Sequence, residues 1–236
     1  MIISDTQKFI FLHIPKCGGT TVRNSLKIFD TRNDYYWMHV YMNGATEKSP
    51  KLQIDKAHMS LPIFKRLYPK DFELLNEYTV FAFSRNPIKR IISSFYEPRK
   101  SFFKAFNENQ SDINEKNKLQ DLFNTYLENI VNRYAFLDPS FLHATPQSMY
   151  LTYEKKVVTD VIIKLDDPTE GVNSLRVLIP DVAKTVSTAI NSFKINASHL
   201  KLDFLWKEAP IILKKNFLIH FKEDFDLLGY ERPVLK

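Results

Sequence analysis

The sequence predicts an α/β fold with a mainly parallel central sheet flanked by helices. Three apolar runs rich in aromatic and β-branched residues read as buried strands, at 7–14, 78–84 and 157–165. A stretch with helical periodicity follows each of these strands along the chain. Because strands that alternate with helices form parallel βαβ units, a three-layer arrangement is expected.

The other elements follow in order, each with its own local signal. Asn86 and Pro87 are typical of a helix start, and Gly229 is typical of a helix end. We predict helices at 19–29, 62–68, 88–95, 117–134, 170–179, 183–190 and 207–228, and a short strand that ends near His58. Residues 99–118 are rich in Asn, Gln and Lys and are predicted to include a mobile loop. Without repeats or a linker, residues 1–236 are expected to form one domain.

Composition narrows the class of ligand. The net charge is +6 and the sequence pI is about 9.2, which suits anionic ligands. No dense Lys/Arg block is present, so nucleic acid is not an expected partner. The six histidines are scattered outside any Cys/His cluster, so no metal site is predicted.

Cysteine usage and hydropathy bear on the compartment. The single cysteine, Cys17, excludes an intramolecular disulfide. No apolar run is long enough to span a bilayer, and the N-terminus lacks the pattern of a signal peptide. We therefore expect a soluble, cytoplasmic protein.

The junction after the first strand has the composition of a phosphate-binding loop. Two of the five glycines are adjacent there, at Gly18 and Gly19, where the chain passes from a strand to a helix. Lys16 adds a cation, and Thr20 and Thr21 add hydroxyl groups. The fold is therefore expected to be P-loop-like. The loop is not a Walker A motif, because its lysine precedes the glycines, and an ordinary NTPase is not expected.

A second cationic junction follows the strand at 78–84. Arg85 stands at the strand end, and Ser93 follows eight positions later in the next helix, with Arg90 and Ser94 nearby. Ligands of α/β sheets bind at the carboxyl ends of strands. A ligand with two phosphate groups is therefore predicted to use both junctions.

These two motifs resemble those of sulfotransferases that use 3′-phosphoadenosine-5′-phosphosulfate (PAPS). Residues 13–21 resemble the family's 5′-phosphosulfate loop, with Cys17 where threonine is usual, and residues 84–96 resemble its 3′-phosphate motif. Weaker likenesses lie at Ala57-His58, at 143–148 (a His-x-x-Pro-Gln segment) and at 221–230. The resemblance is to bacterial-type, single-domain proteins similar to carbohydrate 2-O-sulfotransferases.

The resemblance implies a role for each matching residue. Lys16 and His58 would be catalytic, with Lys16 neutralising the leaving phosphate and His58 acting as general base. The residues implied to bind PAPS, and its product PAP, are Pro15, Lys16, Cys17, Gly18, Gly19, Thr20, Thr21, Arg85 and Ser93. The implied acceptor is a hydroxyl group. A sugar hydroxyl on a glycan or glycolipid is the first choice of acceptor, and a small phenol or alcohol is the second. No metal is implied in this chemistry.

Two other functions stay open from the sequence. Cys17 and Arg23 have the Cys-x5-Arg spacing of cysteine-dependent phosphatases, in which a thiolate attacks phosphorus. Two departures weaken this alternative, since Lys16 stands where those enzymes have histidine and Thr20 where they have glycine. The second alternative is a non-catalytic nucleotide-binding module, which sulfate turnover would distinguish from an enzyme.

Overall fold

The structure is a computed structural model that describes residues 1–32, 39–42, 52–99, 113–131, 139–192 and 202–235. Its strands are β1 (Ile2–Ser4), β2 (Phe9–Leu12), β3 (His39–Met42), β4 (Leu52–Asp55), β5 (Thr79–Ser84), β6 (Thr152–Tyr153), β7 (Lys156–Val157) and β8 (Val161–Lys164). Its α-helices are α1 (Gly19–Leu26), α2 (Leu61–Leu67), α3 (Pro69–Glu73), α4 (Pro87–Tyr96), α5 (Ile113–Ile130), α6 (Ser148–Leu151), α7 (Thr169–Leu178), α8 (Pro180–Ser192), α9 (Asp203–Glu208), α10 (Ile211–His220) and α11 (Lys222–Leu228).

These elements belong to two compact units. The first unit comprises Met1–Arg85 and Gln147–Ser198, and the second comprises Asn86–Pro146 and His199–Lys236. The prediction of one domain over 1–236 stays a prediction.

The first unit contains a four-stranded sheet in the order β1-β2-β5-β8. Strands β2, β5 and β8 are parallel, and the short edge strand β1 pairs antiparallel with β2. All four residues of β2 are buried, and Phe9, Ile10 and Phe11 are each 0% exposed. Such continuous burial is typical of a parallel sheet covered by helices. The predicted α/β class with a mainly parallel sheet flanked by helices is therefore confirmed.

Helix α7 packs closely on β8, and a glycine allows the approach. A Cβ atom at Gly171 would lie 2.8 Å from the Cα atom of Ile163. Two other helices of this unit, α1 and α8, pack against each other.

The second unit is helical around its own core. The buried apolar residues of α4, α5 and α9–α11 form one cluster, which includes Phe95, Phe123, Phe217 and Phe225. Asn86 accepts hydrogen bonds from Ile88 N and Lys89 N, which confirms its predicted role as the cap of α4. Gly229 ends α11 in the left-handed conformation (φ 62°), also as predicted.

Several predicted elements are wrong in extent, and the strand predicted at 7–14 is only Phe9–Leu12. The strand predicted at 157–165 is only Val161–Lys164, because Lys156–Val157 instead pairs with Thr152–Tyr153 in a hairpin. Helix α5 begins at Ile113, so 113–118 are helical rather than part of the predicted loop, and 100–112 lie outside the described residues. The single helix predicted at 207–228 is broken after Glu208, since Pro210 has extended backbone, and again at Phe221. Edge strand β1 was not predicted at all, because three residues are too few to show a period.

Candidate phosphate-binding loop and general base

The predicted phosphate loop connects β2 to α1 in the first unit. Gly18 is the N-cap of α1 in the left-handed conformation (φ 76°), and Lys16 also has a positive φ of 65°. Thr20 is exposed, and Thr21, Lys16 and Gly18 are half-buried. Since the first backbone N–H groups of a helix have no partner within it, this helix start can bind an anion.

Gly19 and His13 fit together and fix the shape of the loop. A Cβ atom at position 19 would lie 2.1 Å from Cδ2 of His13, so the imidazole occupies the space that any side chain would need. The His13 ring is 3% exposed and stacks on Phe11, with centroids 5.8 Å apart. His13 is therefore a packing residue that holds the backbone of Gly19 in place.

His58 is anchored to the same strand end. Its Nδ1 lies 3.0 Å from the carbonyl oxygen of His13, and the two rings are 4.2 Å apart between centroids. Because a carbonyl oxygen only accepts hydrogen bonds, Nδ1 carries the proton in the neutral ring. Nε2 is then the nitrogen that can take up a proton.

Asp55 supports His58 from the preceding turn. Its Oδ1 accepts a hydrogen bond from Ala57 N at 2.8 Å, which shapes the short 3₁₀ helix Lys56–His58. Its Oδ2 lies 4.0 Å from Nε2 of His58, at the outer limit of an ion-pair distance. Asp55 had no assigned role in the sequence analysis. Its place three positions before His58 was the only available signal.

Arg85 and Cys17 meet at Gln147 within the first unit. Gln147 Oε1 accepts hydrogen bonds from Arg85 N at 3.0 Å and from Cys17 Sγ at 3.3 Å. Its Nε2 donates to Arg85 O at 2.8 Å, and Arg85 Nη1 lies 3.4 Å from Lys16 O. The structure thus brings Arg85 to the predicted loop. The only sequence signal for Gln147 was its place in the His-x-x-Pro-Gln segment.

Ser93, Arg90 and Ser94 lie on α4 in the second unit. Ser93 is half-buried. Arg90 is fully buried and donates to the carbonyl oxygens of 143, 144 and 145, at 2.9, 3.2 and 2.7 Å. The Ser94 hydroxyl lies 2.7 Å from that of Tyr126. Arg90 and Ser94 therefore have structural contacts within their unit. The backbone carbonyl group of His143 accepts one of the hydrogen bonds from Arg90.

The structure gives the phosphatase alternative no support. Cys17 is 0% exposed and donates from Sγ to Gln147, whereas an attacking thiolate must reach its substrate. Arg23 is also 0% exposed. Because structural buried cysteines are inert, this environment does not favour a nucleophilic role for Cys17.

No group of three or more His, Cys, Asp or Glu side chains in the described ranges could hold a metal ion. Within the same ranges, every helix is too short or too polar to cross a bilayer.

The fold and the loop define an α/β protein whose strand–loop–helix junction is suited to an anionic ligand. A family model described as "Sulfotransferase family" matches residues 1–231, and the chain belongs to this family. The predicted family and sulfuryl transfer in general are thereby confirmed. No curated protein and no solved structure matches the chain.

Proposed function

We propose that the protein transfers the sulfuryl group of PAPS to a hydroxyl group of a carbohydrate acceptor, on a glycan or glycolipid. One observation carries this proposal: the candidate base and the candidate phosphate loop share one strand end. His58 Nδ1 donates a hydrogen bond to the carbonyl oxygen of His13, the residue at which the loop begins. A base and an anion site in one place are what hydroxyl sulfation requires.

The loop residues fit the 5′ end of PAPS. Gly18 provides the left-handed turn, and Gly19 leaves the space that the His13 ring occupies, so the shape of the loop requires both glycines. When bound, PAPS supplies an activated sulfuryl group and leaves as PAP. Lys16 and the first N–H groups of α1 would stabilise the charge on the leaving phosphate, with Pro15, Cys17, Thr20 and Thr21 completing the loop.

The 3′-phosphate is assigned to Arg85 and Ser93. This assignment depends on their spacing of eight positions and on the resemblance of 84–96 to the family's motif. Both side chains donate hydrogen bonds, and the guanidinium group matches phosphate geometry.

The general base is His58. Because its Nδ1 proton is directed to the His13 carbonyl, Nε2 would accept the proton of the acceptor hydroxyl as the oxygen attacks sulfur. The carboxylate of Asp55 would then stabilise the positive ring.

Transfer of label from [³⁵S]PAPS to a panel of glycans, glycolipids, phenols and small alcohols tests the proposal. The wild-type protein should label at least one carbohydrate, whereas Lys16→Ala should slow transfer about 10²- to 10³-fold, the usual cost of losing one group that stabilises transition-state charge. Lys27→Ala, a change of an exposed lysine just after α1, is the matched control and should keep the wild-type rate. Labelling of phenols or small alcohols alone would exclude the carbohydrate acceptor. Equal rates in Lys16→Ala and wild type would remove Lys16 from catalysis.

A further inference from the structure

One buried amide joins the two segments assigned to phosphate binding. The Gln147 side chain is 0% exposed and lies in the first unit with Arg85 and Cys17. Its Oε1 accepts from Arg85 N at 3.0 Å and from Cys17 Sγ at 3.3 Å, and its Nε2 donates to Arg85 O at 2.8 Å. A single side chain therefore pairs both backbone groups of Arg85 and also the thiol of Cys17.

These bonds limit the freedom of the Arg85 side chain. Arg85 directly follows β5, where a strand would no longer fix its backbone. With N–H and C=O both held by Gln147, the direction of its Cα–Cβ bond is set. With this direction set, the guanidinium group reaches the loop, where its Nη1 lies 3.4 Å from Lys16 O. A polar residue this deeply buried is costly unless its bonds are made, so its position is well determined.

We propose that Gln147 is a positioning residue for the donor nucleotide, which fixes Arg85 relative to the loop of Lys16 and Cys17. This inference rests on the proposed function, in which that loop holds the 5′-phosphate of PAP and Arg85 holds its 3′-phosphate. Gln147 itself need not touch the nucleotide. Replacing Gln147 should therefore weaken the binding of the 3′-phosphate by Arg85 more than it weakens the binding of the rest of the nucleotide.

Calorimetric titration of PAP and AMP into wild type, Gln147→Leu and Asp160→Ala tests the inference. Asp160 is a matched control, because its Oδ2 accepts the backbone N–H of Val80 at 2.7 Å on the same strand. Losing that bond removes a similar side-chain contact from β5 without touching Arg85 or Cys17. We expect Gln147→Leu to lower the affinity for PAP about tenfold or more and to shrink the preference for PAP over AMP. Asp160→Ala should keep the wild-type preference in its folded fraction.

Gln147→Glu gives a second, isosteric test should Gln147→Leu not fold. It keeps an oxygen that accepts from Arg85 N but places another oxygen against Arg85 O, so the preference for PAP should again fall. If the folded Gln147 variants kept the wild-type ratio of PAP to AMP affinity, the inference about Gln147 would be wrong but the proposed function would stand. Failure of folded wild-type protein to bind PAP would overturn the proposed function, and the inference with it.

Discussion

Among single residues, His58 has the most specific chemical assignment. The structure distinguishes it from His13, because His13 packs against Gly19 and Phe11 whereas His58 has its Nδ1 proton directed to a carbonyl. The sequence showed two histidines near two motifs, and only their contacts separate a packing role from a candidate base.

His58→Ala should lower the rate of transfer about 10²- to 10⁴-fold, the usual cost of losing a positioned base. PAP should bind as in wild type, because His58 contacts the backbone of His13 rather than the loop amides. Single-turnover rates and PAP titration measure both effects, with His220→Ala in the second unit as the control. Activity within a few-fold of wild type would assign the base to another residue.

Cys17 should accept threonine in its place. A threonine hydroxyl can donate to Gln147 Oε1 as the thiol does, and the resembled family commonly has threonine there. We expect Cys17→Thr to keep most PAPS-dependent activity, and Cys17→Val, which has the shape of threonine but no donor, to bind PAP less tightly. Neither wild type nor Cys17→Thr should hydrolyse aryl phosphates. Phosphatase activity in wild type that is lost in Cys17→Thr would contradict the sulfotransferase assignment.

At the level of elements, the junction of β2 and α1 was the part best predicted from sequence. An apolar run, adjacent glycines and a helical pattern are local signals, and local signals suffice for a strand–loop–helix unit. The C-terminal helices show the limit of the same reasoning. Their apolar period runs on through Pro210 and Phe221, but the backbone does not stay helical there.

Gly19→Ala should damage the loop through sterics alone. The new Cβ would lie 2.1 Å from the His13 ring, so the ring or the loop must move. We expect PAP affinity to fall about tenfold or more, a change of roughly 1.4 kcal/mol or above. Calorimetric titration measures it. Gly171→Ala is the matched control, because its Cβ would meet Ile163 on β8 and cost stability, while the folded fraction should bind PAP normally. Equal affinities in wild type and Gly19→Ala would contradict the tight fit.

Within the first unit, Asp5 joins segments that are distant in sequence. No local sequence pattern could have predicted these contacts. Asp5 follows β1, and its carboxylate accepts from Arg32 Nε at 2.9 Å and from the Tyr78 hydroxyl at 2.8 Å. Arg32 above all, with the Tyr78 and Thr31 hydroxyls, holds the pKa of Asp5 well below its usual range. These partners lie 26 to 73 positions away in sequence, so only the fold brings them together.

The lowered pKa of Asp5 makes part of the stability depend on pH. The folded state favours the ionised carboxylate, so its contribution is present above pH of about 4 and is lost as the pH falls below that value. Asp5→Asn should lower the free energy of unfolding by about 1–2 kcal/mol at pH 7, with allowance for solvent screening. Urea unfolding at pH 7 and pH 3 should show the difference between wild type and Asp5→Asn shrinking in acid. A difference independent of pH would exclude this role for the charge.

For the whole chain, some residues of the candidate site are supported by both sequence motifs and structural contacts, and others by sequence alone. The loop, Arg85 and His58 were predicted from motifs, and the first unit brings their surroundings together through His13 and Gln147. Ser93 lies in the second unit, and its role depends only on its spacing from Arg85 and on the resemblance of 84–96 to the family's motif. The contacts of Gln147 could not be derived from sequence, because they join it to Cys17 and Arg85, which are far away along the chain. Those of Asp55 could not be derived either, because they depend on the exact geometry of a single turn.

Comparison of PAP with AMP tests the central claim most directly, because it examines the donor without needing the acceptor. AMP has only the 5′-phosphate, whereas PAP adds the 3′-phosphate assigned to Arg85 and Ser93. A charge-assisted contact contributes about 1.5–3 kcal/mol, so wild-type protein should bind PAP roughly 10- to 150-fold more tightly in calorimetric titration. Arg85→Ala should remove most of that preference. Equal affinities for PAP and AMP in wild type would contradict the assignment of a PAPS site.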